Sequence, residues 1–379
     1  MRIGIVAGEA SGDMLGEALM NAVRQHYPEA VFEGIAGPRM QALGARSLFP
    51  MEALSVRGYW EVLRALPRLL WIRRRLRCHF LSHPPDLFVG IDAPDFNLGL
   101  EKALKEEGIP TLQMVAPTVW AWRAERLPKI RAAVSGILSI FPFEAPIFEQ
   151  AGIPLTYIGH PLVHRLPPPD RTLARAALDP TWAGSWVALL PGSRISELDY
   201  HGRLFLETAL RLQRDFPQLR FAVPLINEGT RNYFQRLLRE PAYASLPVTV
   251  FEEDATRILA SAEVALVASG TATLEAALLE CPQVLTYRLS RLTAWLVRRK
   301  GVNGCVGLPN IILGRAVVPE ILQEQATPDR LAEELGNLLR DAERRADMRQ
   351  SFREVRRRLQ ADTMGALVRG VEKVLIHAP

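Results

Sequence analysis

Cysteine is scarce in this chain of 379 residues, and long uncharged apolar runs are missing from it. The three cysteines, Cys78, Cys281 and Cys305, are too far apart for a metal or redox motif, so we expect core thiols in a reducing cytoplasm. No stretch approaches the ~20 uncharged apolar residues of a membrane-spanning helix. The first apolar run, residues 3–7, is too short for a secretory signal and predicts a strand. These features together predict a cytoplasmic protein.

The composition is that of a globular protein, with 48% hydrophobic and 23% charged residues. Because the length exceeds what one hydrophobic core usually organises, two α/β domains are expected. The formal net charge of +5 suits an anionic partner, whether nucleic acid, anionic lipid headgroups or phosphorylated small molecules. An arginine-rich solvated surface explains the same charge, so its distribution along the chain is more informative than its total.

Short apolar runs alternate with longer amphipathic segments. The predicted strands are 3–7, 31–35, 87–91, 111–115, 137–140 and 156–158 in a first series, and 186–190, 220–224, 248–251, 264–267 and 283–286 in a second. Uniformly apolar strands separated by helices predict parallel sheets covered on both faces. The sequence therefore predicts an α/β protein with two Rossmann-like, doubly wound parallel-sheet domains whose ligand crevices face a cleft.

Three consecutive prolines at 167–169 separate the two series and predict the interdomain linker. We expect an N-terminal domain over residues 1–166 and a C-terminal domain over residues 170–345. Helices over residues 346–379 are expected to pack back toward the N-terminal domain.

A glycine-rich turn, residues 8–13 (GEASGD), follows the first predicted strand. Its glycines allow a ligand to approach the backbone closely, and Ser11 or Asp13 is expected to cap the following helix. Exposed N–H groups at such a turn can hold a phosphate or a hydroxyl-rich ligand. The turn lacks the middle glycine of the dinucleotide fingerprint and the lysine of a P-loop, which argues against both signatures. A plain capped turn is the alternative.

The segment 87–97 (LFVGIDAPDFN) predicts a buried strand that delivers Asp92 to its carboxyl end. A carboxylate at that point is a candidate general base toward an incoming hydroxyl. We do not expect Asp92 and Asp95 to form a metal site, because no histidine or third carboxylate lies near them in the sequence. Capping of the turn before Pro94 is the alternative for Asp92, and it is the role we expect for Asp95.

Residues 116–123 (APTVWAWR) follow another predicted strand. Trp120 and Trp122 beside Arg123 are candidates for an aromatic wall for sugar or acyl chains, with Arg123 meeting a phosphate. Tryptophans two residues apart on a loop are equally typical of core packing.

Two strand-to-helix turns of the second series carry groups that suit phosphates. The residues are Gly192, Ser193 and Arg194 in the first turn and Ser269, Gly270 and Thr271 in the second. The planar guanidinium group of an arginine can bind a diphosphate through two parallel hydrogen bonds. Backbone N–H groups and hydroxyl groups at the start of a helix form an anion-binding site. Glu275 lies one helical turn after Thr271, where its carboxylate can accept hydrogen bonds from ribose hydroxyls. The pair of turns predicts a nucleoside-diphosphate pocket.

The stretch 57–77 contains seven arginines and one acidic residue, Glu61, interleaved with large apolar side chains. A basic amphipathic helix that carries tryptophan is typical of segments bound to anionic bilayers. The apolar side chains expected to contact membrane or acyl chains are Trp60, Leu63, Leu66, Leu69, Leu70 and Trp71. A helix packed on the sheet with solvated arginines is the alternative.

Taken in order, these motifs resemble those of the lipid-A-disaccharide synthase family over residues 1 to about 320. The segments that carry the resemblance are 8–13 (GEASGD), 37–40 (GPRM), 90–97 (GIDAPDFN), 119–123 (VWAWR), 190–194 (LPGSR), 268–275 (ASGTATLE) and 308–310 (LPN). The resemblance implies a GT-B glycosyltransferase with no cofactor or metal requirement. It also implies inverting transfer of 2,3-diacylglucosamine from UDP to the 6-hydroxyl of 2,3-diacylglucosamine 1-phosphate, which yields the β-1,6-linked disaccharide and UDP.

The resemblance further implies roles for single residues. Asp92 would be the base, with Glu9 a second carboxylate near it; Arg194 and the turn at Gly270 would offset charge on departing UDP. Residues with binding roles would be Glu275 for the ribose, Asn310 in the donor site, and Ser11, Trp120 and Arg123 for the acceptor. The enzyme would sit peripherally on the cytoplasmic face of the inner membrane of a Gram-negative-type bacterium. The sequence leaves the oligomeric state open, with a homodimer among the alternatives.

Two other functions remain open at this point. A UDP-sugar epimerase or soluble glycosyltransferase on the same fold would share the nucleotide pocket but would not need the basic apolar helix. A basic nucleic-acid-binding protein without catalysis would show steeply salt-dependent binding to oligonucleotides and no affinity for UDP.

Overall fold

The computed structural model describes residues 1–54, 59–119, 124–179, 184–253, 255–268, 270–288 and 305–376. The chain divides into two compact units, of which unit 1 comprises Met1–Pro161 with Leu359–Pro379 and unit 2 comprises Leu162–Arg358. Unit 2 is therefore one contiguous piece, whereas unit 1 is built from both ends of the chain.

Unit 1 contains a seven-stranded sheet in the order β3-β2-β1-β4-β5-β6-β7, with every pairing parallel. Its strands are β1 (Arg2–Ala7), β2 (Val31–Ile35), β3 (Arg46–Ser47), β4 (Leu87–Ile91), β5 (Thr111–Met114), β6 (Gly136–Ser139) and β7 (Leu155–Tyr157). The helices are α1 (Ala10–His26), α2 (Pro38–Ala42), α3 (Tyr59–Ser82), α4 (Pro94–Lys105), α5 (Leu127–Ala133) and α6 (Ala145–Gln150), joined by the C-terminal helix (Thr363–Ile376).

Unit 2 contains a six-stranded parallel sheet in the order β10-β9-β8-β11-β12-β13. Its strands are β8 (Trp186–Leu190), β9 (Arg220–Pro224), β10 (Val248–Phe251), β11 (Val264–Ala268), β12 (Gln283–Tyr287) and β13 (Glu320–Leu322). The helices are α7 (Leu162–Arg165), α8 (Arg171–Leu178), α9 (Ile195–Asp215), α10 (Glu228–Leu238), α11 (Ala255–Ser261), α12 (Thr271–Leu278), α13 (Leu308–Leu313), α14 (Pro328–Arg340) and α15 (Ala342–Leu359), the last of which ends at the unit boundary. The C-terminal helix of unit 1 is accordingly α16.

The two predicted parallel sheets are confirmed, and each predicted apolar run is a strand to within one residue at either end. Strands β4, β8 and β11 are buried along their whole length, which explains why they read as continuous apolar runs. Two edge strands, β3 and β13, were not predicted, because two and three residues are too few to show a period.

The strand order places a topological switch point in each sheet. In unit 1 it lies between β1 and β4, whose crossover connections run to opposite sides, and in unit 2 between β8 and β11. Ligand crevices of doubly wound sheets open at the carboxyl ends of strands at such points. The loops that follow these four strands are among those that the sequence singles out.

Helix α16 completes the core of unit 1 by packing on α1 and on β5, β6 and β7. Its Ala366, Leu367, Val368, Val371 and Val374 belong to the same buried cluster as the sheet. Gly370 allows this close approach, since a Cβ there would overlap the Leu138 side chain.

The cysteine expectation needs a correction. Cys281 is buried in the core as expected, but Cys305 is only half-buried and Cys78 lies exposed on α3.

None of the described helices combines the length and the apolarity needed to span a bilayer.

Candidate active site

The turn after β1 is tied to the segment that follows β2. The carboxylate of Asp13 is buried and accepts hydrogen bonds from the N–H groups of Arg39 (2.9 Å) and Met40 (3.1 Å). Gly37 makes room for it, because a Cβ at that position would collide with the carboxylate. The predicted cap of α1 is therefore wrong: Asp13 caps α2, and α1 begins at Ala10, with Glu9 at its N-cap position and no side-chain cap.

Glu9 and Ser11 are exposed at the N-terminal end of α1. The β1 turn lies against the turn that follows β4, since a Cβ on Gly8 would stand 3.2 Å from the Cβ of Ala93. The switch point of unit 1 thus brings two of the predicted site loops together.

Asp92 sits in a left-handed turn between β4 and α4. Asp92 has φ +53° and Ala93 has φ +41°, and Pro94 then begins the helix. Such conformations are uncommon outside glycine and cost about 1–3 kcal/mol each, so the surroundings must hold them. The Asp92 carbonyl accepts hydrogen bonds from Asn97 Nδ2 (2.9 Å) and Gln113 Nε2 (3.1 Å), and its N–H donates to the Met114 carbonyl (2.9 Å).

The electrostatics of the turn oppose ionisation of Asp92. Burial is the main cause that raises the pKa of its carboxyl group; the Ala93 N–H opposes the shift, and the negative charge of Glu9 adds to it. The carboxylate of Glu9 therefore acts on Asp92 as the expected neighbouring charge.

Asp95 does not cap α4, which corrects the expectation for that residue. The N-cap position is Ala93, and the exposed Asp95 carboxylate instead pairs with Arg126 Nη2 at 2.5 Å. Trp120 and Arg123 lie outside the described residues.

Helix α3 presents a sheet-facing side and an exposed apolar side. Ile72, Leu76 and Phe80 are buried in the core, as the packed-helix alternative requires, while Leu66, Leu70 and Trp71 are exposed by 44%, 45% and 54%. Leu69 is half-buried, and the side chains of Trp60 and Leu63 lie outside the described part of the chain.

The exposed side of α3 continues into a recess. Trp71 packs edge-on against Phe49 with ring centroids 5.7 Å apart, and Phe49 also lines a cavity of about 320 Å³ beside the ends of β2 and β3.

In unit 2, the turn after β8 is closed by Glu197. Gly192 has φ +126°, and the Glu197 carboxylate accepts hydrogen bonds from the N–H groups of Ser193 (2.7 Å) and Arg194 (3.2 Å). The exposed Arg194 side chain adds an Nη1–Oε1 contact of 3.1 Å to Glu197. The carboxylate thus occupies the N–H groups where an anion would bind and also pairs with the guanidinium, whose side chain stays largely exposed.

The turn after β11 leads into α12 through Gly270. This glycine has φ +141°, and among the described residues no atom lies within 4 Å of the place where its Cβ would stand. Thr271 is exposed there, and Glu275 is half-buried one helical turn further on. Ser269 lies outside the described residues.

Asn310 is buried and uses its whole amide inside its own segment. Its Nδ2 donates to the Val318 carbonyl (2.8 Å) and to Glu320 Oε1 (2.7 Å), and its Oδ1 accepts from the N–H groups of Val317 and Val318, both at 2.8 Å. The residue fastens α13 to β13.

His201, which the sequence analysis did not single out, links α9 to the end of β12. The Arg288 N–H donates to its Nε2 (3.0 Å), so its Nδ1 carries the proton and donates to the Glu197 carbonyl (2.9 Å). Burial is the main cause that lowers its pKa, which favours this neutral form, and its ring stacks on Tyr287. The available sequence signal was its position two helical turns after Arg194 on α9.

The described residues include no group of three or more histidine, cysteine, aspartate or glutamate side chains that could hold a metal ion.

Comparison with known proteins decides the family. The model of the lipid-A-disaccharide synthetase family matches residues 3–369. The lipid-A-disaccharide synthase of Chromobacterium violaceum is 49% identical over 375 residues, which cover 99% of this chain and 97% of that protein. The chain belongs to the lipid-A-disaccharide synthase family. It is thus a glycosyltransferase of lipid A biosynthesis, a hexosyltransferase, and the resemblance read from its motifs is confirmed. Membership argues against the epimerase and nucleic-acid alternatives.

Solved structures agree on the fold. The UDP-GlcNAc 2-epimerase from Neisseria meningitidis, bound to UDP-GlcNAc, superposes with a TM-score of 0.64 at 13% identity over 100% of both chains. The glycosyltransferase of kitacinnamycin superposes with a TM-score of 0.58 at 17% identity over 98% of both. The expected GT-B class of fold, with two Rossmann-like parallel-sheet domains, is confirmed.

Proposed function

We propose that the chain transfers 2,3-diacylglucosamine from UDP to the 6-hydroxyl of 2,3-diacylglucosamine 1-phosphate, with inversion at the anomeric carbon. The observation that carries the proposal is the left-handed turn at the switch point of unit 1, which holds Asp92 by its backbone. Held in this way, the carboxylate is a fixed acceptor for the proton of an incoming hydroxyl.

In the proposed reaction the acceptor O6 attacks the anomeric carbon on the face opposite UDP. The O6–C1 bond forms as the bond from C1 to the β-phosphate oxygen breaks, and the bonding pair leaves with UDP. The O6 proton passes to Asp92, so a single displacement converts the α-linked donor into a β-linked product. Glu9 keeps the proton affinity of Asp92 high through its negative charge.

Unit 2 would supply the groups that stabilise the leaving nucleotide. The Arg194 guanidinium and the N-terminus of α12 at Gly270 offset negative charge that develops on UDP, an electrostatic contribution that is usually large in transfer reactions. Glu275 holds the ribose, and Asn310 acts by keeping the α13–β13 segment in place beside the donor site. A UDP-sugar bound to the solved epimerase of the same fold supports this use of the architecture.

The exposed apolar side of α3 would meet the membrane and the acyl chains of both substrates. Leu66, Leu70 and Trp71 lie on a helix whose described part also carries arginines at 68, 73, 74, 75 and 77, a combination that suits an anionic bilayer at the cytoplasmic face of the inner membrane. Trp71→Ser should weaken co-sedimentation with anionic vesicles and leave UDP binding intact. Equal sedimentation of the variant and the wild type would contradict this role.

UDP release tests the base assignment. Purified protein in detergent micelles receives UDP-2,3-diacylglucosamine and 2,3-diacylglucosamine 1-phosphate, with EDTA present. Asp92→Asn should lose roughly two to four orders of magnitude in kcat, the usual contribution of a general base. Asp95→Asn, three residues along and paired with Arg126, is the matched control and should stay near the wild-type rate. A nearly active Asp92→Asn would make Glu9 the next candidate, and no acceptor-dependent release by folded wild type would refute the proposed reaction.

A further inference from the structure

Three polar side chains lie buried beneath the Asp92 turn. Asn97 and Glu101 stand one helical turn apart on α4, and Gln113 belongs to β5, where it pairs in register with Gly90 of β4. All three are completely buried. Gly90 provides the space they occupy: a Cβ there would collide with Glu101 Oε1 and lie 2.9 Å from the Cβ of Asn97.

These three side chains have fewer hydrogen-bond donors than acceptors. The amide nitrogens of Asn97 and Gln113 both donate to the Asp92 carbonyl, at 2.9 and 3.1 Å. In the part of the chain that the structure describes, Asn97 Oδ1, Gln113 Oε1 and both carboxyl oxygens of Glu101 are buried and accept no hydrogen bond of good geometry; the Gly90 N–H is the one backbone donor that acts on the Glu101 carboxyl group. Four buried acceptors with one weak donor among them are unfavourable, and an ionised carboxylate among them would be the least favourable of all.

A carboxyl group is the only member of this set that can change from acceptor to donor, by taking up a proton. We propose that Glu101 is a positioning residue whose neutral carboxylic acid donates its O–H to Asn97 Oδ1, which fixes the Asn97 amide with Nδ2 on the Asp92 carbonyl. Asn97 is the recipient because it and the Glu101 carboxyl meet at the same point above Gly90. Asn97 Nδ2 also lies 3.4 Å from the Val6 and Ile91 carbonyls, which favour the same orientation of the amide. The Glu101 donor completes the hydrogen bonding of that amide and so strengthens the support of the turn that carries Asp92.

The surroundings of Glu101 agree with the neutral form. Burial raises the pKa of its carboxyl group well above the usual range of glutamate, and only the Gly90 backbone opposes the shift. No charged side chain contributes to that shift.

The inference rests on the proposed role of Asp92 for its link to catalysis, but the protonation can be measured without any activity. Infrared difference spectra between the wild type and Glu101→Gln at neutral pH should show the loss of one protonated carboxylic-acid C=O band. Glu106→Gln, on an exposed residue of the same helix region, should show the loss of a carboxylate band instead. Loss of a carboxylate band in Glu101→Gln would overturn the proposal.

Kinetics then separate positioning from mere packing. Glu101→Gln keeps a neutral donor and should retain kcat within about threefold, whereas Glu101→Leu fills the space without a donor and should lose at least ~10-fold in kcat with KM unchanged. A folded Glu101→Gln as slow as Glu101→Leu would overturn the proposal. If Asp92→Asn proves active, the base assignment fails, while the infrared band still reports on Glu101; the two failures are therefore distinguishable.

Discussion

At the scale of single residues, the proton affinity of Asp92 depends on two neighbours of different kinds. Burial raises its pKa by disfavouring charge, and Glu9 raises it further by repulsion. A base works only when it is ionised, so activity should fall as the pH drops through this raised pKa.

Glu9→Gln removes the repulsion and should move the acidic limb of the profile of kcat/KM against pH to lower pH, because Asp92 then ionises more easily. The profile should be measured beside Glu17→Gln, which changes one half-buried carboxylate of α1 that pairs with Arg39. We expect the control limb to coincide with that of the wild type. An unmoved limb in Glu9→Gln would show that Glu9 does not act on the base.

At the scale of elements, the buried carboxylate of Asp13 holds the start of α2 against α1. Asp13→Ala leaves two helix N–H groups without their acceptor and should lower the free energy of unfolding by about 0.5–2 kcal/mol. Because α2 adjoins the site loops of unit 1, kcat should fall as well. Urea denaturation and UDP release measure the two effects.

Asp170 offers a matched control for this prediction. It caps α8 in unit 2 through the N–H groups of Thr172 and Leu173, and it belongs to none of the predicted site loops. Asp170→Ala should cost similar stability and leave kcat unchanged. Equal activity of the two variants would mean that the position of α2 does not matter for the reaction.

The cap of α2 also shows where sequence reasoning stops. The ends of the strands could be predicted because a strand that is buried on both faces is a continuous apolar run in the sequence. Asp92, Gly192 and Gly270 were singled out because they come just after such runs. The sequence shows that Asp13 is a capping residue but not which helix it caps, because its partner helix lies 26 residues further on.

The same limit explains the supports that were missed. Asn97 and Glu101 look like ordinary members of an amphipathic helix, and Gln113 like a polar residue in a strand. Only the pairing of β4 with β5 and the packing of α4 on both bring these three side chains beneath the Asp92 turn. The sequence analysis missed His201 for a similar reason, because its second hydrogen-bond partner, Arg288, lies at the end of a strand that is distant in the sequence.

At the scale of the whole molecule, α16 is part of the core of unit 1 although it stands at the other end of the chain. Ending the chain after residue 360 removes its buried side chains, of which each leucine or valine contributes about 1.5–3 kcal/mol. Their sum is comparable to the whole stability of a typical domain. We expect unit 1 to unfold, so that disaccharide synthesis is lost.

Unit 2 should survive this truncation, because its hydrophobic cluster is drawn from residues 187–352. Calorimetric UDP binding should persist, and limited proteolysis should leave a fragment close to residues 162–358. A chain that ends at Ile376 keeps α16 and serves as the control. A truncated protein with a fully ordered unit 1 would contradict the assignment of α16 to that core.

The split origin of unit 1 has a consequence for biosynthesis. The ribosome completes the first sheet and then makes all of unit 2, about 200 residues, before the helix that covers β5, β6 and β7. At translation rates of ~5–20 residues per second, that interval lasts roughly 10–40 seconds. During this time the nascent chain exposes the apolar face of β5, β6 and β7 that α16 covers in the folded unit, and a chaperone that binds such faces would meet it there.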